Sequence, residues 1–212
     1  MNKKIIKILI KKNKKKIVCL TAYSKSIAKI LDKYVDIILV GDSMASVLYG
    51  QKTTHQISME NIIQHTLSVK KGTSKCLLVA DMPKNSYKNK KQAEKNAKLI
   101  LKKTGCDAVK LESNSKNFKI LETLVKKNIP VMGHIGYTPQ FKKKFKIYGQ
   151  TNSETARLLN EAKLIEKTGA FSIVLECLSP EAAKKITKQL KIPTIGIGSS
   201  LNCDGQILVT DD

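Results

Sequence analysis

The chain has 212 residues, 42% hydrophobic and 26% charged, enough apolar material to fill a sizeable core. Its 39 basic and 17 acidic residues leave a formal charge of +22, and Arg157 is the one arginine. Lysine in place of arginine, 5% aromatics and no tryptophan argue against nucleic acid as a partner, which is read with guanidinium forks and stacking rings.

The lysines are expected on solvated helix faces, where their field also draws in anionic metabolites. Residues 1–16 read as a basic N-terminal extension. Their apolar run Ile5-Ile6-Lys7-Ile8-Leu9-Ile10 is too broken and short for a secretory core. No later run approaches ~20 apolar residues, so the expectation is a cytoplasmic protein with no membrane partner.

Apolar runs at 17–21 and 37–40 come first, each too short for a helix and nearly free of polar residues, as buried parallel strands are. His55 follows in a polar loop with no evident partner, and His65 lies on the helical face of Ile62, Ile63, Leu67 and Val69, where packing is its expected role. A run at 76–80 precedes a helix over 92–103 that carries Ala93, Ala97, Ile100 and Leu101 on one side. Gly105 marks its end. Runs at 108–111 and 131–133 lead to a second helix over 153–168, begun by Ser153 and ended by Gly169. The run at 172–175 precedes Ser179-Pro180-Glu181, a helix start. Runs at 194–197 and 206–209 complete the set. Gly196-Ile197-Gly198 lacks the rest of a phosphate-cradling motif and is explained by tight packing.

Eight strand units without linker composition predict a (β/α)8 TIM barrel occupying 1–212 as one domain. Too few residues separate the last two runs for a crossover helix, so a turn or stub is expected there. Nothing follows the eighth run but Thr210-Asp211-Asp212, so the barrel is expected to lack its final outer helix and to leave an apolar strip uncovered. The five cysteines, Cys19, Cys76, Cys106, Cys177 and Cys203, contain no C-x-x-C pair and read as buried, reduced thiols.

In such barrels the chemistry sits at the C-terminal strand ends. There the chain places Asp42 and Ser43, Asp81, Lys110 and Glu112, His134, and Glu176. A single acid after a strand is usually a helix cap. Acids after four strands on one rim repel unless a cation or ligand offsets them. Asp42, Asp81 and Glu112 are hard oxygen donors without a histidine pair or cysteine cluster, which favours Mg²⁺ over zinc. The set suits removal of a proton beside a carbonyl, with Lys110 neutralising a chelated 2-oxo acid and Glu176 as the base.

The succession Thr21-Ala22-Tyr23, Val40-Gly41-Asp42-Ser43, Leu78-Val79-Ala80-Asp81-Met82-Pro83, Val109-Lys110-Leu111-Glu112, Gly133-His134-Ile135-Gly136-Tyr137-Thr138-Pro139-Gln140, Val174-Leu175-Glu176-Cys177, Gly196-Ile197-Gly198 and Asp204-Gly205-Gln206-Ile207-Leu208-Val209 resembles the ketopantoate hydroxymethyltransferase family. The likeness runs in order over 15–212. It implies a (β/α)8 enzyme of pantothenate and coenzyme A synthesis that moves a one-carbon unit from 5,10-methylenetetrahydrofolate onto 3-methyl-2-oxobutanoate, giving 2-dehydropantoate. It further implies Mg²⁺ on Asp42 and Asp81 with Glu112 near it, keto acid bound by Asp42, Ser43, Asp81 and Lys110, His134 lining the pocket, Glu176 as proton acceptor, and a homo-oligomer, often a decamer.

This chain departs from the family pattern at Met44-Ala45, at Lys84, at Ser200 and over 141–150, where an altered flap is expected; the family also continues past this C-terminus. Two other readings stay open. One is a metal-dependent 2-oxo acid lyase or aldolase on the same barrel. The other is a catalytically weak, lysine-rich binding protein.

Overall fold

Alternate residues of a strand face opposite ways, and here the two sets bury into different cores. The computed structural model describes residues 2–114, 117–142 and 144–212. Lys143, within the expected flap, lies outside them. The strands are β1 (Ile17–Thr21), β2 (Ile37–Val40), β3 (Leu77–Asp81), β4 (Ala108–Glu112), β5 (Val131–Gly136), β6 (Ser172–Glu176), β7 (Thr194–Ile197) and β8 (Gly205–Leu208). They form a closed parallel barrel in sequence order, β8 returning to β1 through the pairing of Ile17 with Gly205. Ile17, Cys19, Ile37, Leu39, Leu77, Val79, Ala108, Met132, Val174, Ile195 and Ile207 fill the interior. Ile38, Val40, Leu78, Ala80, Val109 and Leu111 instead pack outward, in one cluster with residues of the helices.

The helices are α1 (Lys3–Leu9), α2 (Lys25–Leu31), the short α3 (Met44–Val47), α4 (Met59–Lys70), α5 (Lys90–Thr104), α6 (Phe118–Lys126), α7 (Asn152–Thr168) and α8 (Pro180–Gln189). α5 and α7 end on Gly105 and Gly169 in the left-handed conformation, and Ser179 caps α8 with Pro180 in its first turn. The α7 cap is Thr151, not the expected Ser153. Its extended backbone lets the hydroxyl accept from Glu154 N at 3.2 Å. β3 begins one residue later than the apolar run because the buried Asp32 carboxylate takes the Cys76 N–H, together with those of Ser74 and Lys75. β8 is shifted one residue towards the N-terminus, and just past it the Thr210 N–H turns to Thr21 Oγ1.

The expected basic extension is a plug. Ile5 and Ile8 of α1 join the interior cluster, and the lysines around them meet acids that precede strands. Lys4 pairs with Asp107 at 3.3 Å, Lys11 with Asp36, and Lys12 with the buried Asp204 at 2.7 Å. Each of these acids also accepts a backbone N–H from a neighbouring strand, Leu78, Val18 and Thr194 respectively.

Between β7 and β8 the described residues form turns, with no helix. Among the described residues no helix follows β8, and the outward-facing Val18 and Leu208 are 46% and 62% exposed, against 0% for Ile38 and Leu78. All five cysteines are free and buried. Among the described residues no helix is long and apolar enough to cross a membrane.

Candidate active site

The inward parity that buries Val79, Ala108, Met132 and Val174 delivers, two residues on, Asp81, Lys110, His134 and Glu176, and Glu112 two beyond Lys110. These five, with Asp42 and Ser43 from the loop after β2, line one cavity of about 110 Å³ at the C-terminal mouth. Every site residue named from the sequence is there. The rest of the wall is largely apolar, including Leu39, Val174, Ile197, Ile207 and Val209.

The loop geometry depends on glycine at two points. A Cβ on Gly41 would stand 2.8 Å from Ser43 Oγ and 3.4 Å from Asp81 Oδ2, the oxygen that accepts the Asp42 N–H at 3.0 Å. Gly136, at φ +97°, closes β5 against β6 so tightly that a Cβ would lie 2.1 Å from Glu176 O.

Lys110 Nζ lies 2.6 Å from Asp81 Oδ1, and both side chains are buried. On its other side, Nζ is 3.5 Å from His134 Nδ1, and His134 Nε2 lies 3.0 Å from Glu176 Oε2 without the alignment of a hydrogen bond. Glu176 is the most accessible of the ionisable members, its side chain 20% exposed where Asp81 is 3%. Ser43 Oγ is 2.8 Å from Tyr23 OH.

Three buried carboxylates share one ammonium. Burial first, then the Asp81 charge, pushes the Asp42 carboxyl up to about 7, against the pull of Lys110 and Gln140. Burial and Asp42 likewise hold Glu112 well above the usual carboxylate range. Burial would depress the Lys110 ammonium, but Asp81, Asp42 and Glu112 outweigh it and raise it. Burial, and then Lys110, keep His134 below the ordinary histidine value, with Glu176 opposing.

A pH dependence follows. An acid raised in the folded state holds its proton there after the unfolded chain has released it, so stability falls as pH climbs from about 4 towards 7. A depressed histidine acts in the opposite sense, but only below about 6.5. Urea midpoints of the metal-free chain should therefore drop between pH 6.5 and 8.0, below the value of about 8.5 at which the thiols of the unfolded chain ionise, and millimolar Mg²⁺ should reduce the drop. A midpoint flat in pH and indifferent to Mg²⁺ would contradict this charge balance.

The donor set fits a divalent cation. Asp42, Asp81 and Glu112 offer hard oxygens, and Asp81 Oδ1 is buried with no aligned hydrogen bond. Among the described residues, no three acidic, histidine or cysteine groups already stand at ligating spacing. Asp81 is instead drawn onto Lys110.

Sequence reasoning gave no role to Gln140 or Tyr87. Gln140, 1% exposed in the turn after β5, donates through Nε2 to Asp42 Oδ2 at 2.8 Å and to Met82 O at 3.1 Å, and through its backbone N–H to Glu112 Oε2 at 3.0 Å. The buried Tyr87 hydroxyl donates to Gln140 Oε1. A glutamine directly after Thr138-Pro139 was the available signal. His65 packs by bonding Tyr23 O and Tyr49 OH, whereas His55 does find partners, Pro139 O and the Lys84 ammonium. Described flap residues fold round a buried ring, with the Lys142 and Lys146 ammonium groups 4.0 and 5.0 Å from the centre of Tyr148.

The fold resembles that of phosphonopyruvate hydrolase, solved in complex with oxalate and Mg²⁺, at TM-score 0.74 and 11% identity over 97% of this chain and 80% of that one. It also resembles 2,3-dimethylmalate lyase of the PEP mutase/isocitrate lyase superfamily, at TM-score 0.72 and 14% identity over 100% and 80%. At such identities the likeness is one of fold. Sequence similarity is far closer to curated 3-methyl-2-oxobutanoate hydroxymethyltransferases. The Pelagibacter ubique protein is 53% identical over all of this chain and 82% of its own length, and the Anaplasma marginale (strain St. Maries) protein 46% identical over 98% and 76%. The family model for ketopantoate hydroxymethyltransferase matches residues 3–212. On that match and those identities, the chain belongs to the ketopantoate hydroxymethyltransferase family, enzymes of pantothenate synthesis.

Proposed function

We propose that the chain transfers a hydroxymethyl group from 5,10-methylenetetrahydrofolate to 3-methyl-2-oxobutanoate, giving 2-dehydropantoate, with Mg²⁺ held by Asp42 and Asp81 and Glu112 beside it. The observation that carries this reading is the convergence of three buried carboxylates, one lysine and an accessible glutamate on a single small cavity. When bound there, Mg²⁺ would supply Lewis-acid polarisation of the keto oxygen. The solved hydrolase of like fold is a complex with oxalate and Mg²⁺, which supports reading a small acid together with Mg²⁺ as the ligands here.

Lys110 and Ser43 hold the anionic end of the keto acid, and Asp42 and Asp81 orient it. Glu176 takes the proton from C3, and His134, between Glu176 and Lys110, fills the wall behind it. Water hydrolyses the donor's methylene bridge, its two hydrogens going to the two nitrogens as tetrahydrofolate leaves and its oxygen staying on the one-carbon unit as a formaldehyde equivalent. The C3 electron pair forms the new carbon–carbon bond to that carbon as its C=O π bond opens, and the resulting alkoxide takes the proton held by Glu176 to become the hydroxyl.

The donor has room. A second cavity of about 570 Å³ shares Ser43, Thr54, Pro139 and Glu176 with the first and adds Lys52, His55, Tyr137 and Lys142. Glu176 thus stands on the wall between substrate and donor. The assembly in this reading is a homo-oligomer, which light scattering checks.

The direct test incubates the protein with Mg²⁺, keto acid and methylenetetrahydrofolate. Ketopantoate should form, should stop forming with EDTA, and should not form without the folate. No product above background would overturn the reading, and turnover of the keto acid without folate would point to a lyase instead.

A further inference from the structure

Two of the three buried carboxylates at the barrel mouth share a partner that is neither a charge nor part of the substrate pocket lining. Gln140 reaches Asp42 with its side-chain amide and Glu112 with its backbone N–H, at 2.8 and 3.0 Å. These acids come from the loop after β2 and the end of β4, on opposite sides of β3, so no direct strand pairing joins them. In the ionised state that ligates a metal, their like charges push them apart.

The amide cannot turn over without losing bonds. Its Oε1 accepts from the Tyr87 hydroxyl, and its Nε2 donates to Met82 O as well as to Asp42. Tyr87, 5% exposed, is itself packed edge-on against Phe141 at 6.2 Å between ring centres. Every hydrogen-bonding atom of the side chain is therefore used, and the donor side faces a carboxylate.

We propose that Gln140, oriented by Tyr87, is a positioning residue that sets the spacing of Asp42 and Glu112 for the divalent cation. This rests on the metal reading given above. A partner of this kind acts on ligand geometry, and its removal typically weakens metal binding by about 10–100-fold.

The test measures Mn²⁺ affinity of the full chain by electron paramagnetic resonance, with urea midpoints taken alongside. Gln140→Met keeps the volume and removes the side-chain bonds, and Mn²⁺ should bind about 10–100-fold more weakly. Tyr87→Phe removes only the group that orients the amide. It should weaken Mn²⁺ in the same direction and by less, and it serves if Gln140→Met does not fold. A lowered urea midpoint with unchanged Mn²⁺ affinity in both variants would make Gln140 merely structural and overturn the proposal. If the unaltered chain bound Mn²⁺ no better than its Asp81→Asn variant, the metal reading would fall and the proposal with it.

Discussion

Replacing Glu176 by glutamine should abolish exchange of the C3 proton of 3-methyl-2-oxobutanoate into deuterated water while leaving the keto acid bound. The amide keeps the size of the side chain but cannot take up a proton at neutral pH. A positioned general base is typically worth about 10²–10⁴ in rate, and exchange should fall by that order. Binding should change little, because Lys110, Asp81, Asp42 and Ser43 stand on other strands and loops, and the site residue close to the Glu176 carboxylate is His134, at 3.0 Å. The measurement is exchange followed by proton NMR, with keto-acid affinity taken by calorimetry. Exchange at the unaltered rate would remove Glu176 from the role. Loss of exchange in a His134→Gln variant but not in Glu176→Gln would assign the proton to the imidazole.

The site was legible because barrel strands obey a period of two. Once Val79 and Met132 are read as interior, Asp81 and His134 must share their face, and strand ends near the same mouth bring them together. The seventh unit was legible by length alone: 198–204 is too short for a crossover helix and forms turns. Two features were not. Residues 1–16 look like a solvated basic tail until Asp36, Asp107 and Asp204 are seen to wait beneath the strands for their lysines, a pairing over sequence distances no local pattern reveals. Gln140 has no periodicity to announce it either, because it lies in a turn and its partners come from three other segments.

Lys110→Met should be the most destabilising single change in the site. Lys110 is 5% exposed and is the ammonium against which Asp81, Asp42 and Glu112 are balanced. A methionine of similar length fills the space and removes the charge, so the cost is electrostatic. Breaking a buried pair by deleting one partner costs about 3–5 kcal/mol. The sign with pH is fixed by the carboxylates. Without the ammonium, Asp42 and Glu112, already raised, are raised further, so the penalty is small near pH 5 and grows towards pH 8 as the unfolded chain gains the advantage of ionising freely. Urea melts at the two pH values should diverge from the unaltered protein in that direction. Lys110→Arg restores the charge in a bulkier, planar form; it should recover much of the stability at pH 8 but not the keto-acid affinity, since a cavity of about 110 Å³ leaves little room for the wider head group. A methionine variant as stable as the parent at pH 8, with keto acid bound as tightly, would mean that Lys110 compensates none of the three acids.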